Sequence, residues 1–395
     1  MRLKHLSGCF LQNKDMIDRR VQITMNTTEL EKTANDLIFI ISCGINGTSI
    51  DKARVQSMEL AKVFKLASKH MLGSAVGMTL EMNGIKSELT AAAMVNAVRR
   101  DFFFEKAWSE ISQKFEEEGI WYMPLKGAVI KSYYPKDAMR EYSDYDILFD
   151  ESRADDVRSI MEGLGFTTKS FGVSNDDVYN KLPVLNFELH RKLINSKHGD
   201  LFYDYSITIN EKMKTDDSCI YRKYLSKEDS YIYFLVHEYK HFAGAGTGLR
   251  SLVDTYILNK EYNGNLDQPY LTKELKKLRL YEYERNNRNL ANKLFTGKDL
   301  NNSEKELFER YLYSDAYGNF KMRIKNQGVD GSIRSKIKYA IKRLTLSERL
   351  LREKYPFFYK HKMFRPFLYI FRLIKKAKNN PVTLKSEIRD LKNYK

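Results

Sequence analysis

The chain has 395 residues, 43% hydrophobic and 30% charged, with a formal net charge of +16. That length suits two or three compact units, and 20 glycines with 7 prolines exclude a fibrous or low-complexity chain. The three cysteines, Cys9, Cys43 and Cys219, lie far apart with no C-x-x-C pair, which points to a reducing cytoplasmic compartment. The early apolar run Leu37 to Cys43 is far short of the roughly 20 residues that span a bilayer, and Met1 to Lys14 lack the apolar segment of a signal peptide.

In chain order, residues 1–118 read as an N-terminal helical region. Thr28 and Glu31 stand at capping-box spacing around the apolar positions Leu30, Ala34, Leu37 and Ile41. Ser49-Ile-Asp51 opens a second helix with Val55, Leu60, Val63, Phe64 and Ala67, and Leu89 to Phe115 forms a third. The period changes after Gly119. Ile120 to Leu125 is a short apolar run that ends at Lys126-Gly127, and Ala128 to Tyr134 looks helical. Tyr145 to Phe149 is a strand, Glu151 to Gly163 a helix, Gly165 to Phe171 extended, and Val184 to Leu193 alternates as a strand. Such close alternation over residues 119–205 predicts a small α/β unit. From Ser226 the pattern is helical, giving a helical domain over 206–330 and a helical tail over 331–395. That tail holds 19 Lys and Arg against 4 Asp and Glu, a net +15. It accounts for nearly all the excess charge and suits a polyanion: an anionic membrane surface, a nucleic acid or a phosphorylated substrate.

Strand alternation puts Asp144 and Asp146 on one face and Tyr145 on the other. Two adjacent carboxylates repel unless a cation lies between them, and hard oxygen donors with positions left for phosphate suit Mg²⁺. Glu188 and His190 repeat the geometry on the later strand, so neighbouring strands would converge three carboxylates.

Pro124-Leu-Lys-Gly-Ala128, Tyr134-Pro135, Arg140, Ser143-Asp-Tyr-Asp-Ile-Leu-Phe149, Leu164-Gly165-Phe166 and Phe187-Glu-Leu-His190 resemble a family of bacterial nucleotidyltransferases in the DNA polymerase β superfamily, mostly of unassigned substrate. His237, His241, Gly246-Thr-Gly-Leu-Arg250, Asp254 and the tail segments Tyr355-Pro356 and Phe367 to Arg372 extend the resemblance in order along the chain. It implies an α+β fold: a minimal nucleotidyltransferase mixed sheet flanked by N-terminal and C-terminal helical regions, the 206–330 domain completing a cleft. It also implies two-metal transfer of a nucleotidyl group from a nucleoside triphosphate to an acceptor. Asp144, Asp146 and Glu188 would hold Mg²⁺ (or Mn²⁺), with Glu188 helping to deprotonate the acceptor. Lys126, Gly127, Arg140 and Ser143 would meet the nucleotide, and His190, His237, His241, Arg250 and Asp254 would line the cleft. The chain departs from the wider superfamily in having Gly127-Ala128 where a Gly-Ser or Gly-Gly turn is usual, and Glu188 where Asp is commoner. The missing turn hydroxyl motivates an alternative, a catalytically degenerate module that binds a nucleotide or anion.

A rival motif is His237-Glu238-Tyr239-Lys240-His241. On a helix its histidines fall one turn apart, as in a zinc metallopeptidase with Glu238 as base; Thr247 is a poor third ligand. The bland reading places both histidines on a helix facing the cleft. Arg250 and Asp254, one helical turn apart, either pair with each other or leave Arg250 to reach a phosphate. The acceptor, the base of the nucleotide and the oligomeric state stay open at this level.

Overall fold

The computed structural model describes residues 27–195, 200–379 and 381–394; Cys9 and the Met1 to Lys14 stretch lie outside them. Four helices of ten or more residues open the described chain: α1 (Thr27–Asn46), α2 (Leu60–Lys69), α3 (Gly73–Met82) and α4 (Glu88–Glu117). The start of α4 is fixed by a capping box. Thr90 N donates to Ser87 Oγ at 3.1 Å, and Ser87 N donates to Thr90 Oγ1 at 2.9 Å. The helix expected from Asp51 is instead a short segment, Lys52–Gln56, followed by α2. Helix α3 shows no amphipathic pattern because Gly73 through Leu80 are all buried, so no polar face marks its period.

A five-stranded mixed sheet follows, made of β1 (Tyr122–Pro124), β2 (Tyr145–Phe149), β3 (Thr167–Ser170), β4 (Asp176–Lys181) and β5 (Leu185–His190). The order is β1-β2-β5-β4-β3, with β2 and β5 parallel and the other pairs antiparallel. Helix α5 (Ala154–Gly163) connects β2 to β3. Strand β4, Asp-Asp-Val-Tyr-Asn-Lys, escapes a hydrophobicity reading because four of its six residues are charged or amide.

The two faces of the sheet differ. On one, Tyr145, Ile147, Phe149, Tyr179, Phe187 and Leu189 pack with Phe104, Ile111 and Phe115 of α4 and Val157 and Met161 of α5. The ring centroids of Tyr145 and Phe187, register partners across β2 and β5, stack at 5.2 Å. The other face carries Asp146, Glu188 and His190 and looks onto α6 (Lys227–Ala243) and α7 (Leu249–Tyr262). Helices α8 (Tyr281–Phe295) and α9 (Asn302–Leu312) back α6 and α7, and one buried cluster runs from Ala34 to Leu312. The N-terminal helices therefore share a core with α6 to α9.

The tail contains α10 (Ile333–Leu344), α11 (Arg365–Asn379) and α12 (Pro381–Asn393). It is held partly by charge: Glu387 of α12 meets Arg343 at 2.9 Å and Lys376 at 2.7 Å. Among the described residues no helix is long and apolar enough to cross a membrane.

Candidate active site

Register places the polar groups. Asp146 lies opposite Glu188, Leu148 opposite His190, and β4 brings Asp176 opposite His190. Asp146, Glu188, His190 and Asp176 thus share one face, with Asp144 leading into β2 two residues earlier.

The turn after β1 adds a cation. Lys126 adopts φ +49°, a left-handed conformation uncommon for a residue with a side chain, and its Nζ sits 2.6 Å from Asp146 Oδ1. His190 Nε2 meets the same oxygen at 2.7 Å. Burial alone would raise the Asp146 carboxyl, but Lys126 and His190 outweigh it and hold the group well below the usual carboxylate range. For Lys126, burial works to lower the ammonium, and Asp146 overcomes it and raises it. Asp144 and Glu188 move the other way. Burial pushes both up and the neighbouring carboxylates add to it, Glu188 reaching about 7. One carboxylate is compensated and two are crowded, an arrangement short of positive charge.

Asp146, Glu188 and His190 bring one ligand atom each to within 4.8 Å of one another. This differs from the expected set of Asp144, Asp146 and Glu188. His190 reaches across to Asp146, while Asp144 lines the same cleft and its charge couples to those of Asp146 and Glu188. Two oxygen donors and one imidazole suit a divalent ion such as Mn²⁺ as well as Mg²⁺.

The face opens into a cleft of about 470 Å³ whose far wall comes from α6 and the start of α7. His237, Lys240 and His241 line it from α6, with Thr247 and Arg250 from α7 and its approach. Burial lowers the Lys240 ammonium to about 8, and Lys126 adds to the effect. Arg250 donates to the Glu141 carbonyl at 2.8 Å and acts to lower the Asp144 carboxyl. An acidic floor thus faces a basic wall.

Several expected residues have other partners. Arg140, expected beside the phosphates, is buried and donates from Nε and Nη2 to the two oxygens of Asp254, both at 2.8 Å; Tyr134 Oη adds a third hydrogen bond at 2.7 Å. Asp254 therefore pairs with Arg140 and not with Arg250, one turn away on its own helix. Gly127, expected to let the backbone approach a triphosphate, has a nearer reason: a Cβ there would lie 2.4 Å from Arg140 Nη1. Ser143 is hydrogen-bonded by the Tyr317 hydroxyl. His237 and His241 approach each other at 3.3 Å between Nε2 atoms, and among the described residues no third ligand joins them. Glu238 accepts from the buried Tyr311 hydroxyl at 3.2 Å, so the zinc-peptidase arrangement is not formed. Sequence reading missed Lys240 and Asp176 as cleft residues. Lys240 was findable, being three residues from His237 on the same helical face; Asp176 was hidden with its strand.

A family model described as uncharacterised nucleotidyltransferase matches residues 56–296, more than half of the chain. No curated protein and no solved structure matches it.

Proposed function

The chain belongs to the uncharacterised nucleotidyltransferase family, and we propose that it moves a nucleotidyl group from a nucleoside triphosphate to an acceptor hydroxyl. The observation that carries this reading is Asp146 facing Glu188 across parallel strands, with Asp144 beside them and a basic wall opposite. Mg²⁺ or Mn²⁺ held by Asp146 and Glu188, with Asp144 or His190 completing the donors, would neutralise the triphosphate and the departing pyrophosphate. Lys126, Lys240 and Arg250 bind the phosphate chain. The acceptor oxygen bonds to the α-phosphorus as the bond to the β-phosphate oxygen breaks; Glu188 takes the acceptor proton and pyrophosphate leaves with the electron pair. Ser143 and Tyr317 border the nucleotide, while Gly127, Arg140 and Asp254 position the turn that carries Lys126. Use of triphosphates fits a cytoplasmic setting, as do the free thiols of Cys43 and Cys219.

Thermal unfolding with each nucleoside triphosphate, with and without Mg²⁺, tests the reading. A ligand at about 100 times its dissociation constant adds roughly 2.7 kcal/mol to folded stability. We expect a base-selective, metal-dependent shift that Asp144→Asn removes. No shift with any nucleotide and either metal would sink the proposal. A second reading, a binding module without chemistry, is favoured by Lys126 and His190 both engaging Asp146 and by the missing turn hydroxyl at Ala128. A shift with no pyrophosphate release on any acceptor supports it.

A further inference from the structure

Helix α11 leaves an apolar stripe exposed, with no partner among the described residues. Phe367, Ile370, Phe371 and Ile374 recur at i, i+3, i+4 and i+7 and are 57–64% exposed. The residues leading into the helix continue the surface, with Met363 79% and Phe364 40% exposed. Its opposite side is tied to the protein. Leu368 is buried, Arg365 pairs with Glu348 at 2.6 Å, Arg372 donates to the Leu344 carbonyl at 2.6 Å, and Lys376 pairs with Glu387 at 2.7 Å. The helix is thus docked by its polar side and presents its apolar side outward, the reverse of a surface helix packed on a core. Helix α10 shows the same inversion: Ile333, Ile337 and Ile341, one turn apart, are each more than half exposed.

We propose that this tail is a membrane-surface element: α11 lies in the plane of an anionic lipid surface with Phe367, Ile370, Phe371 and Ile374 at the headgroup–acyl boundary. Charge selects this occupant. The segment 331–395 carries a net +15, which draws it to anionic headgroups and repels a second copy of itself. The outward stripe holds aliphatic as well as aromatic groups, and isoleucines offer a polynucleotide neither a charge nor a stacking surface. The cations of α11 that face inward are engaged with Glu348, Glu387 and a carbonyl, so they form no groove for a phosphate backbone. Among the described residues no helix is long and apolar enough to span the bilayer, and the proposed contact is interfacial. It does not depend on the chemistry proposed for the cleft. Its consequence there is that acceptors displayed on the lipid surface meet the enzyme at a raised local concentration.

The test is co-sedimentation of the full-length protein with phosphatidylcholine vesicles, with and without roughly 30% phosphatidylglycerol, compared with the double variant Phe367→Ser/Ile374→Ser. These side chains are solvent-exposed, and an unchanged circular dichroism spectrum and melting temperature would verify the fold. We expect binding to the anionic vesicles at low salt, weakened by salt, and lowered at least roughly tenfold by the double variant. A tryptophan placed as Phe371→Trp should shift its emission to the blue on the same vesicles. Three outcomes would each overturn the proposal: no vesicle binding at low salt, binding that the double variant leaves intact, or tighter binding to a single-stranded RNA. A concentration-dependent dimer lost in the double variant would overturn it as well, because the stripe would then be a protein interface.

Discussion

The two faces of the central sheet come from the same residues read at alternate positions, yet they are stabilised in opposite ways. Tyr145 and Phe187 sit back to back with Asp146 and Glu188. On the first face every group gains by contact: Phe104 lies 5.6 Å from Phe187, both buried, and the partly buried Trp108 lies 5.2 Å from Tyr145, ring centre to ring centre. On the second face carboxylates are brought together against their mutual repulsion, and only Asp146 has a full set of compensating partners. The aromatic face supplies the rigidity that lets the acidic face stay crowded. The stabilising face and the candidate site are thus separated by a single residue of register.

Substitutions test that division. The largest expected loss is Phe187→Ala, about 3–5 kcal/mol of unfolding free energy by urea titration; a loss below 1 kcal/mol would mean that the aromatic face is not the anchor. Asp254→Ala strands the buried Arg140 and should remove about 3 kcal/mol, although both residues border the cleft. If it cost nothing, the buried pair would have no positioning role. His70 gives a pH test away from both faces. It is 1% exposed, accepts from the Leu249 amide at 3.1 Å, and burial lowers it to about 3 from an ordinary 6.5. Between those values the unfolded chain binds a proton that the native state refuses. The contribution is therefore complete above pH 6.5 and lost as pH falls, at about 1.4 kcal/mol per unit. His70→Gln should flatten that slope, and an equally steep slope in the variant would place its origin elsewhere. The smallest effect has the opposite sign. Glu188→Gln relieves carboxylate repulsion and should stabilise the fold by about 1 kcal/mol while abolishing the metal-dependent nucleotide shift. Destabilisation by this change would contradict the contrast between the faces.

Much of this was readable in the sequence because it is local. The alternation in Ser143-Asp-Tyr-Asp-Ile-Leu-Phe149 and Phe187-Glu-Leu-His190 assigned residues to faces, and α4 and α6 follow their apolar spacing. The failures are of two kinds. Elements with no two-sided environment carry no period, as in α3, buried all round, or β4, whose polar residues hide a strand within the sheet. Partners chosen by the tertiary fold are invisible at any spacing. Arg140 and Asp254 are 114 positions apart, whereas the readable alternative, Arg250 with Asp254, was four. His190 could be placed on the right face, but its reach to Asp146 depends on β2 and β5 being neighbours, which only the sheet order decides.

The ties across the cleft also bear on how it moves. Arg140 with Asp254, Arg250 with the Glu141 carbonyl, and His70 with the Leu249 amide join the loop before β2 and the end of α2 to the first turns of α7. The first and last of these lie in the interior, where parting them would leave bare charge or an orphan donor. A jaw fastened this way does not hinge, so amides near Leu252 should exchange with solvent no faster than global unfolding allows. The contact between Tyr317, 60% exposed, and Ser143 has no such penalty. The Tyr317 side of the cleft is therefore fastened by an exposed contact, and the Arg140 and His70 side by buried ones.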